Sequence, residues 1–93
     1  MMGYIYILLC SDETLYTGST VNVEQRVRLH NQGKAANHTL KRRPVQLIYL
    51  EEFDSIAAAF EREKQIQKWS RRKKLALINS EYNQLKEYSK KSF

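Results

Sequence analysis

Tyr4 to Gly18, YIYILLCSDETLYTG, is the stretch that decides the fold. Two short apolar runs, each carrying tyrosine, flank the polar break Ser11-Asp12-Glu13. Alternation places Tyr4, Tyr6 and Leu8 on one face of the first run and Ile5, Ile7 and Leu9 on the other. Two β-rich runs around a short turn read as a hairpin. With an odd loop, Leu8 faces Tyr16 and Tyr6 faces Gly18. Tyr6 and Tyr16 then share a face, and Gly18 leaves a side-chain-sized gap beside them. Taken alone, such a phenol pair reads first as core packing and only second as the lining of a site.

Outward from the hairpin, Asn22 with Gln25 three residues on marks a helix start, and Gly33 marks its stop. Between them Val23, Arg26, Val27 and His30 share one face. Arg26 on a half-apolar stripe calls for an anion or carbonyl, unless it snorkels to water. Residues 34–44 read as a polar, basic loop with Lys41, Arg42 and Arg43 facing solvent. Val45 to Phe53 reads as a third strand with Val45, Leu47 and Tyr49 on one side, Ile48 and Leu50 on the other, and both faces covered. Asp54 or Ser55 then caps a helix whose inward stripe is Ile56, Ala59, Phe60, Glu63 and Ile66. Glu63 is the informative member, because a carboxylate on an apolar stripe needs a partner: an ion pair, with Arg26 available, or a bound cation. Ser70 caps a last helix through Leu77 or beyond, headed by the cationic run Arg71-Arg72-Lys73-Lys74, and the final ten residues read as a frayed tail. The expected architecture is therefore α/β (α+β): a three-stranded antiparallel sheet flanked by helices, in the order β-β-α-β-α-α. Residues 1–83 form the domain and 84–93 the tail.

Composition bounds the rest. Ninety-three residues make one domain with a modest core. The single cysteine, Cys10, excludes an internal disulfide and zinc spacing. No signal peptide or membrane-length apolar run is visible, so the reading is cytoplasmic with no membrane partner. Sixteen basic against ten acidic residues give a net charge of +6, a lean toward polyanions.

Taken in order, Tyr4-Ile5-Tyr6, Tyr16-Thr17-Gly18, Arg26 eight residues past that glycine, and a glutamate on a following helix resemble the GIY-YIG nuclease superfamily. The small stand-alone bacterial branch is most similar, and the resemblance spans roughly residues 3–78. It implies a water-activating role for Tyr6, a site-lining role for Tyr16 beside Gly18, a scissile-phosphate contact for Arg26, a place near the nucleophile for His30, and a metal-binding role for Glu63. It also implies one Mg²⁺ or Mn²⁺ ion, a nucleic-acid partner with DNA ahead of RNA, and a role in DNA repair or processing. Two positions depart from the pattern: Tyr4 stands where the first tripeptide has glycine, and Thr17 replaces isoleucine. His38 has no assigned role, and Asn79 is the one candidate for the amide that supports the site in some nucleases.

The chemistry fits these residue types. A single carboxylate suits Mg²⁺, which keeps most of its waters, and an arginine fork suits phosphate oxygens. A phenol of pKa ~10 is a poor base at neutral pH. Either a cation stabilises a Tyr6 phenolate, or Tyr6 orients the water while His30 takes the proton. The expectation is a metal-dependent endonuclease or nickase, with Lys41, Arg42, Arg43 and Arg71 to Lys74 contacting the phosphate backbone. The alternatives are a non-catalytic nucleic-acid-binding module of the same fold, or a protein-interaction partner in a repair complex.

Overall fold

The computed structural model describes residues 1–79, so the expected tail lies outside the described residues. Strand β1 (Gly3–Leu9) runs down the centre of an antiparallel sheet of order β2-β1-β3, with β2 (Leu15–Thr20) and β3 (Gln46–Phe53) at its edges. The hairpin register is the expected one, with Tyr6 opposite Gly18 and Leu8 opposite Tyr16. The turn is closed by Glu13 N–H donating to the Cys10 carbonyl at 2.9 Å, and Glu13 takes a left-handed φ of 68°. A tight turn followed by one left-handed residue is a standard three-residue hairpin connection.

Helix α1 (Val23–Asn31) is capped by Asn22, whose side chain accepts from Gln25 N–H at 3.0 Å. A single-turn helix α2 (Asn37–Leu40) interrupts the segment expected to be all loop. Helix α3 (Ile56–Gln67) is capped by Ser55, which accepts from Ala58 N–H at 3.1 Å. Residues 71–79 begin a further helix, α4, with Ser70 accepting from Lys73 N–H at 3.2 Å. Losing either serine cap would cost about 1 kcal/mol.

The sheet divides the core in two, as strand alternation requires. On the α3 side Ile5, Ile7, Tyr49, Ala59 and Ile66 are buried together. On the α1 side Tyr6, Leu8, Cys10 and Val45 are buried, with Tyr16 and Val27 packed against them.

Two expectations about these faces are corrected. In β3, Ile7 pairs with Tyr49 but Leu8 pairs with Leu47, so Ile48 is an extra residue in a bulge. A bulge resets the alternation, so Leu47 and Tyr49 lie on opposite faces despite their spacing. Leu47 and Leu50, partners of Leu8 and Tyr6, are 37% and 45% exposed, so the α1-side face of β3 is only partly covered. In α3 the inward line is Ala59, Glu63 and Ile66, while Ile56 and Phe60 are 41% and 46% exposed. The α3 start presses its backbone on β1: a Cβ built on Gly3 would lie 2.6 Å from the Ile56 Cα. Phe60 sits off the line and is covered by the Lys64 ammonium, 4.5 Å from its ring centre.

Candidate active site

Strand β1 delivers Tyr6 to the α1-side layer, where its side chain is 1% exposed. Its hydroxyl lies 2.9 Å from His30 Nε2. The other ring nitrogen, Nδ1, lies 2.8 Å from Thr39 Oγ1 in α2. The Thr39 hydroxyl donates its one proton to the Ala36 carbonyl at 3.1 Å. It must therefore accept from the imidazole, so Nδ1 carries the proton and Nε2 presents a lone pair to the Tyr6 hydroxyl. A one-directional chain results: Tyr6 O–H to His30 Nε2, His30 Nδ1–H to Thr39, Thr39 O–H to the Ala36 carbonyl. Burial, helped by the nearby Arg26 charge, depresses the His30 pKa to about 4, so the ring is neutral at physiological pH.

Tyr16 lies beside this chain. Its ring centre is 6.5 Å from that of Tyr6 and 5.1 Å from that of His30, edge-on to the latter. On its other side the His38 ring stacks at 5.8 Å. Gly18 makes room for the pair: a Cβ there would fall 2.5 Å from Tyr6 Cζ and nearer still to its hydroxyl. The gap expected beside Gly18 is thus filled by the Tyr6 phenol itself. Burial, then the Tyr16 phenol, pushes the Tyr6 pKa far above the ordinary phenol value; burial and then Glu63 raise Tyr16. The Arg26 guanidinium opposes the rise at both rings. One cation thus acts on Tyr6, Tyr16 and His30 together, with Arg26 hydrogen-bonded to the Tyr6 phenol.

Glu63 arrives from the other layer. Alternation puts Tyr16 and Gly18 on the α1 side of β2 and Thr17 and Ser19 on the α3 side. Because β2 is an edge strand, α3 can reach around it. Ser19 Oγ donates to Glu63 Oε1 at 2.5 Å, and Gln67 Nε2 donates to Glu63 Oε2 at 2.9 Å and to the Thr17 carbonyl at 3.2 Å. The Glu63 charge is felt by both phenols, raising them. The Arg26–Glu63 ion pair that would have satisfied this carboxylate does not form: the four ion pairs among the described residues take Asp12, Glu24, Glu51 and Glu61.

The donor set fits a hydrated divalent cation. Glu63 is held by neutral groups, so its charge is not cancelled, and it is half-buried, so water reaches it. No group of three or more His, Cys, Asp or Glu side chains converges among the described residues. Glu63 would then be the one carboxylate on an ion such as Mg²⁺, which takes few protein ligands.

The basic residues are less uniform than their runs suggested. Arg42 is tied to Asp12 at 2.8 Å and to the His38 carbonyl at 2.8 Å. Arg43 donates to the Leu40 carbonyl at 2.8 Å, and Arg71 donates to the Glu13 carbonyl. Lys73 lies over the Trp69 ring at 4.3 Å, and Lys74 is half-buried with its pKa lowered by burial. Lys41 and Arg72 are exposed. Arg42 thus belongs to a clasp that closes the hairpin turn on α2, rather than to a free cationic rim.

Two groups escaped the sequence reading. Thr39 gave only a Thr beside an unassigned His38, and nothing in its spacing from His30 marks the contact. Gln67 is the amide beside Glu63, one helical turn on, whereas Asn79 is exposed at the end of the described α4. The i, i+4 spacing of Glu63 and Gln67 was the available signal.

With this geometry in place, comparison with known proteins is decisive. The model of the GIY-YIG catalytic domain matches residues 2–76. The chain belongs to the GIY-YIG family. A UPF0213 protein of Syntrophus aciditrophicus is 57% identical to this GIY-YIG chain over 77 residues, covering 82% of it and 88% of the relative. A UPF0213 protein of Natronomonas pharaonis is 51% identical over 78 residues, covering 84% and 92%. The solution structure of the UPF0213 protein BH0048 from Bacillus halodurans has a TM-score of 0.56 and 39% identity, with 85% of this chain and 84% of that one covered. That of EF2693 from E. faecalis has a TM-score of 0.62 and 34% identity, with 88% of each covered. No helix among the described residues is long and apolar enough to cross a membrane.

Proposed function

We propose that this GIY-YIG chain is a metal-dependent endonuclease or nickase that hydrolyses phosphodiester bonds of nucleic acid, DNA ahead of RNA, in repair or processing. The observation that carries the reading is the oriented chain from Tyr6 through His30 to Thr39. A packing tyrosine needs one partner. A relay needs a neutral, correctly protonated imidazole behind the phenol, and His30 supplies that.

The chemistry follows from these groups. Tyr6 is too strongly protonated to begin as a phenolate. It accepts a proton from the attacking water on its oxygen as it releases its own to His30 Nε2, so no separated charge is left on the phenol. Arg26 beside both phenols offers its fork to the non-bridging oxygens and stabilises the negative charge that builds there. It also disfavours a standing imidazolium, which keeps His30 ready to accept. Tyr16, held between two imidazoles, walls the site. A divalent ion bound at Glu63, Mg²⁺ or Mn²⁺, would supply charge for the phosphate and for the departing oxygen.

The test is cleavage of duplex, branched and single-stranded substrates with and without Mg²⁺ or Mn²⁺. A non-catalytic binding module would show salt-sensitive affinity with no product under any metal. That reading keeps the exposed basic residues as backbone contacts but leaves the buried chain from Tyr6 through His30 to Thr39 without a use.

A further inference from the structure

We propose that Ser19 and Gln67 are positioning residues that clamp the Glu63 carboxylate and hold it aimed for a divalent cation; the inference rests on the reading of Glu63 as the metal carboxylate.

The clamp is complete on both oxygens. Ser19 Oγ donates to Oε1 at 2.5 Å and Gln67 Nε2 to Oε2 at 2.9 Å. Both donors are neutral. An arginine or lysine in either place would satisfy the same lone pairs but cancel the charge that attracts a cation. A carboxylate has about four lone-pair positions, so one donor on each oxygen leaves acceptor capacity on both. In a chain of net charge +6, a carboxylate clamped by an alcohol and an amide is notable chemistry. The four described ion pairs pass it by.

The clamp is also anchored. The Gln67 amide has two N–H donors. One goes to Glu63 and the other to the Thr17 carbonyl at 3.2 Å, so its orientation is settled by two bonds. Thr17 is the neighbour of Tyr16, and Ser19 is the neighbour of Gly18. The same four residues of β2 thus present Tyr16 and Gly18, packed under the Tyr6 phenol, on one face, while Ser19 bonds Glu63 on the other and the Thr17 carbonyl bonds Gln67. Any shift of β2 moves the phenol and the carboxylate together. Fixing a ligand through its outer partners is how metal affinity is tuned.

The experiment is a Mn²⁺ titration of the full chain, followed by paramagnetic broadening of backbone amide signals, with thermal unfolding run beside it. In the native protein broadening is expected to centre on residues 18–20 and 63, and Glu63→Gln should abolish it. Ser19→Ala and Gln67→Leu should each weaken Mn²⁺ binding about 3- to 10-fold, the pair together about 10- to 100-fold, with Ser19→Thr restoring it. Should Gln67→Leu fail to fold, Ser19→Ala against Ser19→Thr decides alone. Native Mn²⁺ affinity in folded Ser19→Ala and Gln67→Leu, with Glu63→Gln inert, would overturn the clamp while leaving Glu63 as the ligand. Broadening that survives Glu63→Gln would overturn the metal reading of Glu63 and the clamp with it.

Discussion

The Tyr6 hydroxyl donates to His30 Nε2 at 2.9 Å, and the direction of that bond is set from behind, by Thr39. Ring-nitrogen NMR should therefore show His30 protonated at Nδ1 and bare at Nε2. His30 also has a depressed pKa, about 4 against an ordinary 6.5. The unfolded chain thus binds the extra proton first as pH falls. Stability should be level above about pH 6.5 and fall between there and pH 4, by on the order of 3 kcal/mol from this group. Cleavage should lose its acid limb near pH 4 to 5, not near 6.5. A limb at the ordinary histidine value would remove His30 from the relay.

Arg26 contributes to that depression, and its charge can be separated from its shape. Arg26→Gln should let the His30 pKa rise toward 6.5 in an NMR titration, because the opposing cation is gone. Arg26→Lys should keep the pKa low, yet lose the planar fork. Cleavage should drop roughly 10- to 100-fold or more in both. A His30 pKa that ignores Arg26→Gln would place the guanidinium elsewhere.

Gly18 is required because the Tyr6 phenol occupies the place of its side chain. Gly18→Ala must push the phenol aside or move β2. The expected cost is about 1–3 kcal/mol of stability and a larger proportional loss of cleavage, since the displaced hydroxyl breaks its bond to His30. Thermal melts and single-turnover rates on the same preparation would check this.

Thr17 Oγ1 is buried with no hydrogen-bond partner among the described residues. An unsatisfied buried hydroxyl costs free energy, so Thr17→Val should leave stability unchanged or raise it by up to about 1 kcal/mol. Urea unfolding would measure it. Marked destabilisation would mean that the hydroxyl has a partner.

Much of this was legible in the chain. The hairpin register followed from alternation and an odd turn, and it alone placed Tyr6 against Gly18. The helix caps at Asn22 and Ser55 were readable because capping is local chemistry. The Ile48 bulge was not, since it depends on how β3 meets β1 and changes no local pattern. Nor were the exposed Ile56 and Phe60, since which stripe of α3 faces the sheet depends on how the helix is set against β1. Within the candidate site, Arg26 and Glu63 stood out as polar groups on apolar faces, whereas Tyr6, Tyr16 and His30 drew their site roles from the resemblance. Thr39 and Gln67 did not, because an ordinary threonine or glutamine becomes informative only through a partner supplied by another element.

The central claim is that these groups make a hydrolytic centre. The most direct measurement is Mg²⁺- and Mn²⁺-dependent cleavage across duplex, branched and single-stranded substrates, with Glu63→Ala and Tyr6→Phe purified alongside. Product is expected only with metal and native protein, with a loss of at least about 100-fold in each variant. No cleavage of any substrate by the native protein, or cleavage that persists in both variants, would contradict it.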